Sequence, residues 1–208
     1  MTIPPTPAPE PRDCGVFELR QYTLKPGRRE DLVTVFEREF VESQEVEGMC
    51  ILGTFRDVER ADRFVWLRGF RDMDERSRAL SAFYSGPVWK ANSAEANDTM
   101  IDVDNVLLLR PLTPVSFPDA SDHERPLRVT IAHVHDGDIR DDVADSLITA
   151  VNGADWLAAF VTLHAENTFP ALPIREDADV VVVLTAGGEV EAGDEQLLLE
   201  PTPRSRVR

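Results

Sequence analysis

The stretch VFELRQYTL, Val16–Leu24, alternates residue by residue. Phe17 and Leu19 point one way, while Glu18, Arg20 and Tyr22 point the other, because successive side chains of a strand leave opposite faces. Charges on one face of a strand that otherwise reads as central need partners if they are covered. The rest of the chain must therefore supply an apolar layer for one face and a polar environment for the other. By this reading the apolar side meets helices and the polar side faces the interior between packed sheets.

The segments that follow supply the layers. KPG turns the chain into a helix over about 28–47, with Leu32, Val35, Phe36 and Phe40 at helical spacing and Gly48 where a C-terminal cap belongs. Residues 49–55 and 63–70 read as strands. Asp72 with Glu75 forms a capping pattern that opens a second helix carrying Ala79, Leu80 and Phe83. Pro87 suits the first turn of a short continuation, and 101–110 is a further strand. The order β-α-β-β-α-β is the ferredoxin-like pattern.

Residues 110–126 hold four prolines and several turn formers and read as a linker. After it come a strand, LRVTIAHVH, and a helix with Ile139, Val143, Leu147 and Val151 at i, i+4 spacing. A strand over 157–167, a strand over 179–185 that is apolar on both faces, and a last strand, EQLLLEP, complete the chain. The stretch between the third and fourth of these strands is too short for a full second helix. The expected organisation is a disordered tail over 1–14, a first unit over 15–112, a linker over 113–126, a second unit over 127–203 and a tail over 204–208. The second unit repeats the first in element order through Gly27 and Gly137, with little identity of letters.

The segments FELRQYTLKPG, FVWLRGFRDMDER, FYSGPVWKAN and NVLLLRP together resemble the NIPSNAP family over about 16–112. ENTFPALPIREDADVVVVL resembles the later part of two-unit bacterial members. The resemblance implies an α+β fold of two ferredoxin-like units whose antiparallel sheets form a dimeric α/β barrel around a cavity, with helices outside. It implies a homodimer and no settled chemistry. Related barrel families include cofactor-free monooxygenases, isomerases, lyases and haem proteins, and such analogy does not establish function.

Strand pairing brings Arg68 toward Glu18, since first and third strands are neighbours in this order. Glu18, Trp66, Arg68 and Thr162 are the expected pocket residues, with Arg20 or Arg68 orienting a small acid or carbonyl compound. An internal ion-pair network that fixes sheet packing is the alternative. Along 159–166, Phe160, Thr162, His164 and Glu166 share a face, and His164 with Glu166 has the composition of an acid–base pair if both face the cavity, the favoured alternative being a histidine satisfied at a strand end near solvent. Arg20, Tyr22, His164 and Glu166 are the catalytic candidates. His133 and His135 share a strand face and, with His164, have the composition of metal ligands. A single HxH is weak evidence, so no metal is expected.

The 208-residue chain carries 38 acidic against 22 basic residues, a formal net charge of −16. That balance repels phosphate backbones and anionic membrane surfaces. No apolar run approaches the roughly 18 residues of a membrane span, and two cysteines give neither a disulfide framework nor a zinc spacing. A cytoplasmic protein is expected. No dinucleotide fingerprint, phosphate-binding loop or nucleophile elbow is present, so no cofactor is expected. The sequence points to a pocket for a small organic molecule, with cofactor-free acid–base or oxygenase-type chemistry. The alternative is a non-catalytic binding or protein-interaction module.

Overall fold

Eight antiparallel strands close on themselves in the order β1-β3-β2-β8-β5-β7-β6-β4. The computed structural model describes residues 8–112, 115, 126–135, 140–150, 155–186 and 192–207. The first half runs β1 (Val16–Leu24), α1 (Arg29–Val35), a π-helical turn (Phe36–Phe40), α2 (Val41–Val46), β2 (Cys50–Asp57), β3 (Arg63–Phe70), α3 (Met73–Ser85), α4 (Pro87–Asn97) and β4 (Met100–Pro111). The second half runs β5 (Leu127–His133), α5 (Arg140–Ala150), β6 (Asp155–Thr162), β7 (Val180–Ala186) and β8 (Glu195–Pro201). This is the expected α+β architecture of two ferredoxin-like sheets. The stretch between β7 and β8, expected to be too short for a full second helix, lies mostly outside the described residues, and no helix lies between β6 and β7.

The barrel closes within one chain. The sheets join where β2 meets β8, with Arg56 opposite Glu200, and where β4 meets β6, with Leu109 opposite Thr162. A second chain is not needed to complete it. Local signals act as expected: the Asp72 side chain accepts a hydrogen bond from the Glu75 backbone N–H at the start of α3, and Pro87 occupies the first turn of α4.

Apolar side chains from both halves line the interior of the barrel. Phe17, Leu19, Val65, Leu67, Leu107 and Leu109 meet Val129, Ile131, Phe160, Val182, Leu184 and Leu197 there. This reverses the expected orientation of β1: its apolar face lines the barrel and its polar face meets the helices. Glu18, Arg20 and Tyr22 lie in the layer between the sheet and α1–α4, with Phe36, Phe40, Phe64, Trp66 and Phe83. The physical reason is reciprocal. The second half contributes Val180, Val182, Leu184 and Leu197 to the enclosed space, and such a lining cannot solvate a charge, so β1 can present only Phe17 and Leu19 to it. In the second half the parity is as expected, with Phe160 and Thr162 inward and Ala159 and Val161 under α5.

Both ends of the chain are more ordered than a loose tail. Residues 1–7 lie outside the described residues, but Pro11–Asp13 form a turn of 3₁₀ helix and Cys14 is buried against the barrel. Near the other end, Arg206 and Val207 donate backbone N–H groups to Leu52 O, and Val207 enters the core. The reason is an open edge. β8 pairs only with Phe55–Asp57 of β2, so residues 202–207 complete the hydrogen bonding of the remainder. That edge is bent by a bulge at Gly53, where any side chain would collide with the Phe55 ring. Most of the expected linker, 113–114 and 116–125, lies outside the described residues, as do Gly137, Ile139 and Val151.

Candidate functional site

Glu18 is the hub of a buried ionic cluster. Its Oε2 accepts from Arg20 Nη1 at 2.8 Å and from Arg68 Nε at 2.7 Å, and its Oε1 accepts from Arg76 Nε at 2.7 Å. All four side chains are wholly buried. β1 supplies Glu18 and Arg20, β3 supplies Arg68 directly opposite Glu18, and α3 supplies Arg76. Burial by itself disfavours the Glu18 carboxylate, but Arg68, Arg20 and Arg76 outweigh burial and hold its pKa far below the ordinary range. Burial pulls Arg76 down, with Glu18 opposing. Burial also disfavours the charge on Arg20, yet Tyr22 and Glu18 raise its pKa overall.

The cluster is tied on every side. Arg68 Nη1 donates to Gln44 Oε1 at 3.0 Å, and its guanidinium lies 4.8 Å from the Trp66 ring centre. Arg76 Nη1 reaches Asn167 Oδ1 at 3.2 Å and Thr168 Oγ1 at 3.3 Å, in the connection between β6 and β7. Arg20 Nε donates to Tyr22 Oη at 3.1 Å.

Beside the cluster lies a cavity of about 90 Å³. Its walls are Tyr22 and Trp66 from the sheet, Phe36, Phe40 and Gln44 from the first helical segment, and Phe83, Tyr84 and Trp89 from α3 and α4. Asn97, Met100, Val103 and Leu172 complete the lining. The rings pack edge-on or tilted: Phe36 to Trp66 at 4.9 Å and Tyr84 to Trp89 at 4.7 Å between centres. The π-helical turn shapes this wall. It sets Phe36 and Phe40 onto the cavity, and the Gln44 amide donates to Phe40 O at 2.8 Å while its Oε1 takes the Arg68 bond. Insertions of this kind in a helix often sit at functional sites. Burial pushes the Tyr84 phenol up, against the pull of Arg68.

Glu18, Arg20, Tyr22, Trp66 and Arg68 are thus brought together, on the helix side of the sheet. Thr162 is not with them. It faces the barrel interior, where its Oγ1 accepts from Val180 N at 2.8 Å. β6 ends at Thr162, so His164 and Glu166 lie beyond it at the surface. The His164 side chain is 55% exposed, with Nε2 3.0 Å from Arg140 Nη2 and 3.6 Å from Asp179 Oδ1. The Arg140 hydrogen bonds hold Asp179 below the usual carboxylate range. His164 and Glu166 line a separate open depression of about 410 Å³ with Leu163, Arg175 and Glu176. His133 and His135 lie 6.4 Å apart between ring centres near the end of β5. Among the described residues no group of three or more His, Cys, Asp and Glu side chains is placed to hold a metal ion.

Sequence reading missed Arg76, Gln44 and Tyr84. A signal existed for two of them. Arg76 falls on the same helical stripe as Ala79, Leu80 and Phe83, and Gln44 follows Phe36 and Phe40 at i+8 and i+4. A polar side chain on an apolar stripe is buried and must be paired.

Fold and site together define a ferredoxin-like α+β barrel protein with an aromatic cavity, backed by arginines, outside the barrel wall. The chain belongs to the NIPSNAP family through its first half: the NIPSNAP family model matches residues 17–116. A NIPSNAP-like domain protein from Burkholderia xenovorans is 24% identical over 50% of this chain and 87% of its own, with a TM-score of 0.42. A Lactobacillus acidophilus protein, provisionally described as a monooxygenase, is 13% identical over 90% of this chain and 94% of its own, with a TM-score of 0.57. An anthrone oxidase-like protein is 10% identical over 90% and 91%, with a TM-score of 0.58. The last two likenesses establish the whole-chain fold. No curated protein matches the chain.

Proposed function

We propose that the protein binds a small single-ring organic molecule in the aromatic cavity between β1–β3 and the helices, with a polar oxygen of that molecule at Tyr22. The observation that carries this is Tyr22 itself. It lines the cavity, and its oxygen accepts from Arg20 Nε, so its own hydroxyl hydrogen is left to donate. The volume limits the occupant. About 90 Å³ is below the roughly 150 Å³ of an apolar cavity that holds benzene, so one ring fits only if rim residues such as Met100 and Leu172 yield.

Such a pairing suits cofactor-free acid–base or oxygenase-type chemistry. A phenol hydrogen-bonded to an arginine can protonate, or stabilise, an oxyanion that develops on a carbonyl or phenolic substrate. Tyr22 would touch the reacting oxygen, and Arg20 would position Tyr22. His164 and Glu166 do not line this cavity and take no part in this reading. Titration of Trp66 and Trp89 fluorescence with phenol, benzamide and benzoate tests it. Saturable quenching is expected from at least one probe, and Tyr22→Phe should weaken that binding about five- to tenfold. No quenching by any of the three, or equal binding by Tyr22→Phe, would sink the proposal.

One observation favours the non-catalytic alternative. Arg76 joins Glu18 to Asn167 and Thr168, so the cluster also braces the helix layer against the second half. A bracing role alone predicts no saturable ligand.

A further inference from the structure

The ionic cluster does not balance. Three guanidinium groups surround one carboxylate, and all four side chains are fully buried. The local sum is therefore +2, inside a protein whose formal charge is −16. Glu18 is the sole carboxylate within bonding distance of these three arginines among the described residues. The remaining partners, Tyr22, Gln44, Met49, Asn167 and Thr168, bring no carboxylate. Uncompensated buried charge of this size costs several kcal/mol per ion.

Donors are also left over. Arg20 Nη2 and Arg76 Nη2 are buried with no hydrogen-bond partner. Arg68 Nη2 lies 2.7 Å from Glu18 Oε2 as an ion contact but without an aligned hydrogen bond. Trp66 Nε1 is likewise buried and unpartnered, and Trp66 is a wall of the cavity. Native interiors rarely leave this many buried donors unused in one place.

Excess positive charge, spare N–H groups and an adjoining aromatic cavity have one chemical answer. We infer that the occupant of the cavity is an anion, a single-ring aromatic monocarboxylate whose carboxylate sits at Tyr22 and Trp66 in the field of Arg20, Arg68 and Arg76. This rests on the cavity being a ligand site. Of the unpartnered donors, Trp66 Nε1 belongs to a residue of the cavity wall, while the arginines lie outside the lining and act through their charge. The ring takes the space between Phe36, Phe40, Phe83 and Trp89. The guanidinium groups stand behind Tyr22 and Trp66: Arg20 lies 5.5 Å from the Tyr22 ring centre and 5.6 Å from that of Trp66. Their role is to hold the charge of the ligand, while Tyr22 touches it.

Calorimetric titration of the full chain with benzoate and with its neutral, near-isosteric counterpart benzamide is the test. Benzoate is expected to bind at least about tenfold more tightly, a difference of about 1.4 kcal/mol. Arg76→Gln, which does not contact Tyr22, should lower the ratio of benzoate to benzamide affinity severalfold, and Arg20→Gln, which also releases Tyr22, should lower that ratio further; an unchanged ratio in both variants would overturn the charge assignment. Equal affinity of the wild-type protein for the two probes would overturn the charge assignment and leave the cavity reading standing. Failure of both probes would overturn the cavity reading and the charge assignment with it. A tyrosinate ultraviolet band at neutral pH in the unliganded protein would also overturn the inference, since the protein would then supply its own counter-charge.

Discussion

The two halves of the barrel contribute the same kind of sheet and cover it differently. The first half lays α1–α4 over its outer face, and the layer beneath holds Glu18, Arg20, Arg68, Arg76 and a set of aromatic rings. Among the described residues the second half has the single helix α5, and Ala132, Ala159, Val161, Val181 and Val183 of the sheet pack with its Ala144 and Leu147. A thick helical layer can bury charge, because side chains such as Gln44 and Arg76 reach back from it to partner the strands. A single helix over small apolar residues cannot. The difference sets a layer of buried charges and aromatic rings in the first half against apolar packing in the second.

The comparison can be broken by substitution. Glu18→Gln has the largest expected effect, because it leaves three buried guanidinium groups without an anion. Denaturant unfolding should show a loss of about 3–5 kcal/mol, and a loss below about 1 kcal/mol would mean that the arginines are not confined as described. Val182→Ala in the second half deletes two methyl groups from the apolar interior, where Val182 is fully buried. It should cost about 1–3 kcal/mol through lost burial and cavity formation alone.

A pH series sharpens the same contrast. The pKa of Glu18 is depressed in the folded protein, so the unfolded chain binds more protons as the pH falls. Its contribution is fully present above its ordinary value of 4.5 and is lost progressively as the pH falls below it toward the folded value. Glu18→Gln should therefore flatten the fall in stability below about pH 4.5. An unchanged acid slope in that variant would show that other carboxylates carry it. The smallest effect is expected at the surface. Arg140→Ala removes the pair with Asp179, where both side chains are about a third exposed, and should cost less than about 1 kcal/mol.

Most of the fold was legible in the sequence. The bounds of β1 and β3, the cap at Asp72 and the break before Pro87 all follow from periodicity and punctuation. The pairing of Glu18 with Arg68 followed from strand order. The strand expected over 157–167 ends at Thr162, so His164 follows the alternative of a histidine near a strand end at the surface, and Glu166 lies beyond it. Loss of strand pairing there is a tertiary matter: β4 and β6 pair only over Leu109–Pro111.

The sequence by itself determined that β1 has one apolar and one charged face, that five of the residues named for the site share that charged face or its counterpart on β3, and that helices flank the sheet. Only the tertiary structure decided which face is enclosed by the barrel. Alternation has a period of two and carries no label for inside or outside. Helices and a second sheet both offer an apolar layer, so either could have received Phe17 and Leu19. Closure settled the matter, because the second half lines the interior with apolar side chains and the Thr162 hydroxyl, which already accepts from Val180 N. The charges of β1 were left with the one layer that could hydrogen-bond them, beneath α2 and α3.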